Sequence, residues 1–369
     1  MAPHFHALFV KSITPLIADA AQITFAIPPD LRDAYEFQPG QFLTLRAQIN
    51  GNAIRRSYSI CSTPALLHSV QEVSVGIKRV QGGVFSTWAT QQLQVGDQVD
   101  VMTPDGRFTV RNLAAKQRVA FCAGSGITPV LSIMAHTLTT ESDSSFTLVY
   151  NNQRANTIMF FEELQDLKDR YASRVSLVHV LSRQPSEVAL LHGRLDETKV
   201  GELLRSALPA GQIDEAFICG PEPMIEACER ALLAAGVPRE RVHAERFASA
   251  SSSATRTTTK IIASHAVSTV PTSQNTHKFI LDIVLDGKIH QMGMGQDDNV
   301  LDTALQAGLD LPYACKGGVC ATCRAKVIEG QVRMEKNFTL EQWEVDKGFV
   351  LTCQSHCVSD KVVVSYDER

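Results

Sequence analysis

Four cysteines near the end of the sequence have the clearest chemical spacing: Cys315-x4-Cys320-x2-Cys323, then Cys353 after 29 intervening residues. Thiolates hold iron–sulfur centres, and four of them at this spacing suit a [2Fe–2S] cluster. Gly317 and Gly318 allow a tight loop whose N–H groups can face the sulfurs, and small Ala321 and Thr322 let the chain wrap closely. Such N–H groups stabilise a negatively charged cluster and help set its potential. Structural zinc, the alternative metal, is usually held by two paired Cys/His knuckles. Here the fourth cysteine stands alone and the first spacing lies in a glycine loop. Cys357 is surplus and reads as an ordinary free cysteine.

A second set lies early in the chain. In Arg56-Ser57-Tyr58-Ser59, the Tyr can stack on an isoalloxazine face and the Arg can pair with a pyrophosphate. A hydroxyl beside that Tyr can hydrogen-bond near flavin N5 and tune hydride acceptance. Alone, the four residues could equally be a strand with two exposed bases. Gly82-Gly83-Val84-Phe85-Ser86 supplies a loop that can approach a pyrophosphate, with Gly83 and Ser86 at its phosphates, though it could be a simple hairpin turn. Pro104-Asp105-Gly106-Arg107-Phe108 follows as a turn.

A third set is Ala123-Gly124-Ser125-Gly126-Ile127-Thr128-Pro129, which follows a strand and opens a helix. Glycines there let a dinucleotide pyrophosphate reach the helix N-terminus, through Gly124, Gly126 and Thr128. The pattern is not G-x-G-x-x-G. Cys219-Gly220-Pro221 ends a later strand, where a buried structural cysteine is the plain alternative. Arg154 and Arg183 lie just past strand ends, the ligand-facing positions of an open α/β sheet. Arg there can accept a 2′-phosphate, which favours NADPH over NADH; solvated surface arginines are the other reading.

These residues need elements to position them. To about residue 112 the chain alternates short β-type runs (QITFAI, QFLTLRA, EVSVGIK, QVDVM) with Pro/Gly turns, the pattern of a barrel or sandwich. From Arg118, RVAFCAG, FTLVYN, VSLVHVL and EAFICGP alternate with helical stretches, which predicts βαβ units and a parallel sheet. Residues 248–276 are rich in Ser and Thr, with few large apolar residues, and read as a linker. The expected division is 1–112 flavin-binding β-barrel, 113–247 nicotinamide nucleotide α/β domain, 248–276 linker and 277–369 [2Fe–2S] domain.

The sequence has 369 residues, a net charge of −4 and 44% hydrophobic residues, so a disordered chain or a small disulfide scaffold is excluded. No long basic run provides a nucleic-acid footprint, and no apolar run approaches the roughly 18 residues of a membrane span. The opening MAPHFHALFVKS lacks the pattern of a signal peptide, so a cytoplasmic location is expected. Five of the nine cysteines cluster between Cys315 and Cys357, which in that compartment points to a metal centre rather than disulfides.

Taken together, R-x-Y-S, P-x-G-x-F, GSGITP, CGP and the cysteine block resemble the ferredoxin–NADP reductase superfamily with a C-terminal plant-type ferredoxin domain. The resemblance covers essentially the whole chain except the linker. Longer segments, LPYACKGGVCATCRAKV, MEKNFTLEQWEV, GFVLTCQSHCVSDKVVVSYDE, DEAFICGP and LLHGRLD, resemble reductase components of oxygenases that epoxidise the ring of an aromatic acyl-CoA. The linker is longer and richer in Ser/Thr than that pattern. The resemblance implies an antiparallel flavin barrel, a parallel-sheet nucleotide domain and a β-grasp-like [2Fe–2S] domain. It implies FAD rather than FMN, and a Cys219 near the nicotinamide ring. Tyr58, Ser59 and Cys219 would then lie nearest the reacting atoms, and Phe247 would cover the flavin or simply end a domain core. It also implies electron delivery to separate di-iron oxygenase subunits. Rieske-type oxygenases and hybrid-cluster proteins are alternative acceptors, and a redox-sensing scaffold or a zinc adaptor are readings of another class.

Overall fold

The computed structural model describes residues 4–247, 259–263 (backbone only) and 279–368. The chain divides into two compact units, Met1–Phe247 and Ala248–Arg369.

The first unit opens with six antiparallel strands: β1 (Phe5–Ile17), β2 (Ala20–Ala26), β3 (Phe42–Ile49), β4 (Asn52–Ser59), β5 (Glu72–Lys78) and β6 (Gln98–Met102). Their order is β4-β3-β6-β1-β2-β5, and a bridge from Ile60 to Val75 joins the two edges into a barrel. Alternating residues Ile23, Phe25, Leu43, Leu45, Val73, Val75, Val99 and Val101 point inward and form its core. Asn50 and Gly51, both at positive φ, make the two-residue turn that sets the β3–β4 register and so places Arg56, Tyr58 and Ser59. Helices α1 (Pro64–Val70) and α2 (Val84–Gln91) flank the barrel.

A five-stranded parallel sheet follows: β7 (Gln117–Ala123), β8 (Ser145–Asn152), β9 (Val175–Leu181), β10 (Glu215–Gly220) and β11 (Val242–Arg246), in the order β11-β10-β7-β8-β9. The order reverses at β7, and it is at such a switch point, outside the strands' carboxyl ends, that open α/β sheets bind ligands. Four helices, α3 (Ile127–Thr140), α4 (Phe161–Arg170), α5 (Glu197–Ser206) and α6 (Glu222–Ala234), connect these strands. One apolar cluster under α3 and α4 and another under α5 and α6 bury the two faces of the sheet.

The second unit holds β12 (Thr259–Ala263), β13 (Phe279–Leu285), β14 (Lys288–Met294), β15 (Arg324–Met334), β16 (Phe349–Leu351), β17 (Ser355–Cys357) and β18 (Lys361–Ser365). The sheet runs β12-β15-β18-β13-β14, with β16 and β17 also on β15. Among the described residues of this unit only β13 and β18 pair in parallel; α7 (Val300–Gln306) and α8 (Gln342–Asp346) complete this β-grasp arrangement. Most of the expected linker, 248–276, lies outside the described residues. Its one described piece, Thr259–Ala263, is a strand against β15, which composition alone did not suggest.

Candidate functional site

The cysteine loop joins α7 to β15. Lys316 and Ala321 lie in the left-handed region at φ 50° and 55°, and Gly318 at 77°, so the backbone coils around the thiols. Alanine at Gly318 would also press its Cβ to 3.0 Å from the Lys336 carbonyl. The Gly317 N–H donates to Cys315 Sγ at 3.3 Å, as the sequence led us to expect. The thiols fall into two neighbouring pairs, Cys315 with Cys320 and Cys323 with Cys353. The adjacent Cys320 thiol, helped by backbone N–H groups, holds the Cys315 thiol well below its ordinary value.

Two thiolates per iron is the donor set of a binuclear cluster, and the N–H groups around it suit its negative charge. The four cysteines therefore fit a two-iron cluster. Cys357 is buried against Met294 Sδ at 3.4 Å, away from any ligand role.

In the first unit, Tyr58 remains partly exposed beside Phe85, ring centroids 5.8 Å apart, and Phe85 meets Trp88 edge-on at 5.3 Å. Arg56 is exposed, with Nη1 on the Arg55 carbonyl. Gly83 caps the N-terminus of α2, the right place for an anionic group. Ser86 is turned inward: its Oγ accepts from Val80 N–H at 3.1 Å and donates to the Gly83 carbonyl at 3.3 Å. It thus closes the loop on itself.

Gly124 and Gly126 lie between β7 and α3. The Gly124 carbonyl accepts from Tyr150 Oη at 2.8 Å, and Gly126 packs against the backbone of Cys219 and Gly220. Thr128 is buried, with Oγ1 on the Ser125 carbonyl at 3.0 Å and its methyl facing Gly76 of the barrel. Arg154 and Arg183 are both exposed beyond β8 and β9, and the Arg183 N–H bonds the Gln153 carbonyl at 2.8 Å. Phe247 is 39% exposed just past β11.

One residue was not singled out from sequence. Glu245 stands beside Cys219 in the β10–β11 register, and Ser59 Oγ donates to Glu245 Oε2 at 3.2 Å. The barrel and the last strand of the sheet thereby meet at a hydroxyl, a carboxyl and a thiol. Burial pushes the Glu245 carboxyl up to about 8, and it also holds the Cys219 thiol protonated. The available signal was the position of Glu245 at the end of a strand adjacent to Cys219, which only the register reveals.

An antiparallel barrel, a parallel nucleotide sheet and a paired-thiol loop in one chain define a flavin- and iron–sulfur-dependent oxidoreductase. Three family models match in the same order: the oxidoreductase FAD-binding domain over residues 8–110, the oxidoreductase NAD-binding domain over 121–230, and the 2Fe-2S iron-sulfur cluster binding domain over 283–358. Over 368 residues the chain is 41% identical to a subunit of 1,2-phenylacetyl-CoA epoxidase from Escherichia coli, covering 99% of this chain and 98% of that one. It is 32% identical to the ferredoxin reductase component of 3-ketosteroid-9-alpha-monooxygenase of Rhodococcus rhodochrous, covering 97% and 96%. Phthalate dioxygenase reductase shares the fold over 98% of both chains, with TM-score 0.58 and 22% identity. The chain belongs to this family of FAD-, NAD- and [2Fe–2S]-binding reductase components of oxygenases.

Proposed function

We propose that this protein passes electrons from NADPH, through FAD and a [2Fe–2S] cluster, to the di-iron oxygenase subunits of a phenylacetyl-CoA epoxidase in aerobic phenylacetate breakdown. The observation that carries this reading is the 41% identity to the phenylacetyl-CoA epoxidase subunit over 99% of this chain, with all four cluster cysteines present and neighbouring in pairs. When bound, FAD would supply the link between two-electron hydride chemistry and a one-electron [2Fe–2S] cluster.

The chain's own residues do the rest. Cys315, Cys320, Cys323 and Cys353 hold the cluster, and the Gly317 N–H supports its charge. Tyr58 and Arg56 hold the flavin, with the Gly83 end of α2 at its phosphates and Phe247 as a cover. Gly124 and Gly126 admit the nicotinamide nucleotide, and buried Thr128 fixes their loop. Cys219, whose thiol burial keeps protonated, adds no charge beside the nicotinamide. Glu245, protonated through neutral pH, keeps a proton one hydrogen bond from Ser59 Oγ. Exposed Arg183 and Arg154 at the carboxyl edge supply cations for a 2′-phosphate, which supports NADPH. We take the protein to be cytoplasmic; in the described part no helix is long and apolar enough to cross a membrane. We keep the domain limits at 1–112, 113–247, 248–276 and 277–369.

The test is reconstitution with the epoxidase oxygenase subunits, phenylacetyl-CoA and NADPH, reading epoxide by mass spectrometry beside cytochrome c reduction. Epoxide that requires this protein supports the proposal. Cytochrome c reduction without epoxide redirects it to another oxygenase. Neither activity, with both cofactors bound, refutes electron transfer.

A further inference from the structure

Strand β10 has a second job at the end opposite Cys219. Glu215, Phe217 and Cys219 are alternate residues of β10, so their side chains share one face. The connector between β6 and β7, residues 103–116, carries the chain from the barrel to the sheet, and this face grips it. Glu215 is fully buried. Its Oε1 accepts the N–H groups of Arg111 at 2.8 Å and Asn112 at 3.3 Å and lies 3.0 Å from His243 Nε2, while Oε2 accepts Arg118 Nε at 3.1 Å. Buried Arg118 reaches back to the Asn112 carbonyl at 2.9 Å. The neighbouring Asp214 accepts the N–H groups of Lys116 at 2.8 Å and Gln117 at 3.0 Å. Three backbone donors of the connector and the first of β7 thus end on two consecutive carboxylates.

Phe217 continues the contact. It meets Phe108 edge-to-face at 5.5 Å, and the Phe108 carbonyl sits so close to barrel residue Gly40 that a Cβ there would lie 1.8 Å from it. From Glu215 to Cys219, then, a single strand face meets the connector twice, at Glu215 and at Phe217, and ends at the candidate hydride site, while Phe108 of the connector carries the contact on to Gly40. A buried Arg–Glu pair is a poor device for stability alone, because desolvation offsets much of its attraction. What it does provide is direction, since each bond fixes one backbone group.

We propose that Glu215, with Arg118, His243 and Asp214 around the connector, is a positioning residue for hydride transfer: the cluster sets the barrel's place along β10 and hence the flavin's distance from the nicotinamide. This rests on the reading above that Cys219 lies at the nicotinamide. Near-attack geometry has the reacting atoms about 3–3.5 Å apart, and a shift of about 1 Å can cost about a hundredfold in rate.

The test compares full-length, cofactor-loaded wild type with Glu215→Gln, which removes the charge but keeps one acceptor. Anaerobic stopped-flow would follow flavin reduction at saturating NADPH, the long-wavelength charge-transfer absorbance of the nicotinamide–flavin pair, and the NADPH Kd. A readout independent of activity is amide exchange in residues 109–117 of the flavin-free protein. We expect exchange at Arg111 and Asn112 to rise at least about tenfold, flavin reduction to fall about 10- to 100-fold, the charge-transfer band to weaken, and Kd to stay within about twofold. A folded Glu215→Gln protein with wild-type reduction rate, or with unchanged exchange, overturns the proposal. If that variant does not fold, Asp214→Asn, which leaves the buried charges intact, decides by the same readings, with an expected loss of about threefold. If wild type itself transfers no hydride from NADPH to flavin, the functional reading fails and this inference with it, whatever the exchange shows.

Discussion

Gly126→Ala isolates steric fit at the nucleotide site. Gly126 has φ −63° and ψ −7°, ordinary helical values that alanine adopts freely. The substitution therefore carries no conformational penalty, and its whole effect is contact. A Cβ there would stand 2.1 Å from the Cys219 carbonyl oxygen, 2.6 Å from its carbon and 3.1 Å from Gly220 N, all backbone atoms of the β10 end. Neither side can rotate away, so the α3 end and the β10 end must part by about 1 Å. Overpacking of this kind costs about 1–3 kcal/mol, which for a unit of this size is about 2–12 °C in Tm. The same movement displaces Cys219, so flavin reduction by NADPH should fall by an order of magnitude or more. Differential scanning calorimetry and stopped-flow reduction would read the two effects. Gly201→Ala serves as the control: it lies inside α5, its Cβ would meet only the end of the Arg205 side chain at 3.3 Å, and it should gain about 0.5–1 kcal/mol. A Gly126→Ala protein with wild-type Tm and reduction rate would refute the close approach of loop to strand.

Three further outcomes are expected. Cys320→Ser should abolish the cluster's visible absorbance and electron paramagnetic resonance signal while flavin content stays near wild type; loss of both would argue against separately folding sites. Arg183→Ala should raise KM for NADPH about tenfold or more and leave KM for NADH within about twofold, and equal effects would remove Arg183 from the phosphate site. Because burial raises the Glu245 carboxyl to about 8, the flavin-free protein should lose stability as pH climbs from the ordinary carboxylate range through about 8. The native state holds that proton where the unfolded chain releases it. Glu245→Gln should flatten this slope in urea midpoints taken at about pH 5.5 and about pH 8.5, and an unaltered slope would place the titrating group elsewhere.

The chemistry was legible where a cofactor demands residue types at short spacing. Four thiols, R-x-Y-S and GSGITP stand out because each sets particular residue types at fixed spacing, R-x-Y-S at the end of β4 and GSGITP from the end of β7 into α3. The sequence was less informative about which atoms face the ligand. Ser86 and Thr128 have the right hydroxyls for phosphate contact, but both spend them on their own loop backbones. A small hydroxyl residue beside glycines can bond a ligand or the turn itself, and spacing does not separate the two. The strand Thr259–Ala263 was missed for a related reason: β15 is 11 residues long and offers an edge that a Ser/Thr-rich segment can pair through its backbone.

What sequence could not show at all are the contacts made across elements. Glu245 and Cys219 are 26 positions apart, and Glu215 and Arg111 are 104 apart, so only the order β11-β10-β7 brings each pair together. These are also the contacts that relate one cofactor site of the first unit to the other. Hydride transfer between a nicotinamide and a flavin depends on the distance between two domains, and no motif inside either domain can encode that distance. It has to be set by residues that belong to one domain and bond the other, such as Glu245 on Ser59 Oγ and Glu215 on the connector. On the proposal above, the motifs specify which groups bind, while the carboxylates that bond from sheet to barrel and connector specify whether the bound groups can react. On this argument a variant that keeps every motif residue but loses Glu215 should still bind its cofactors and transfer hydride slowly.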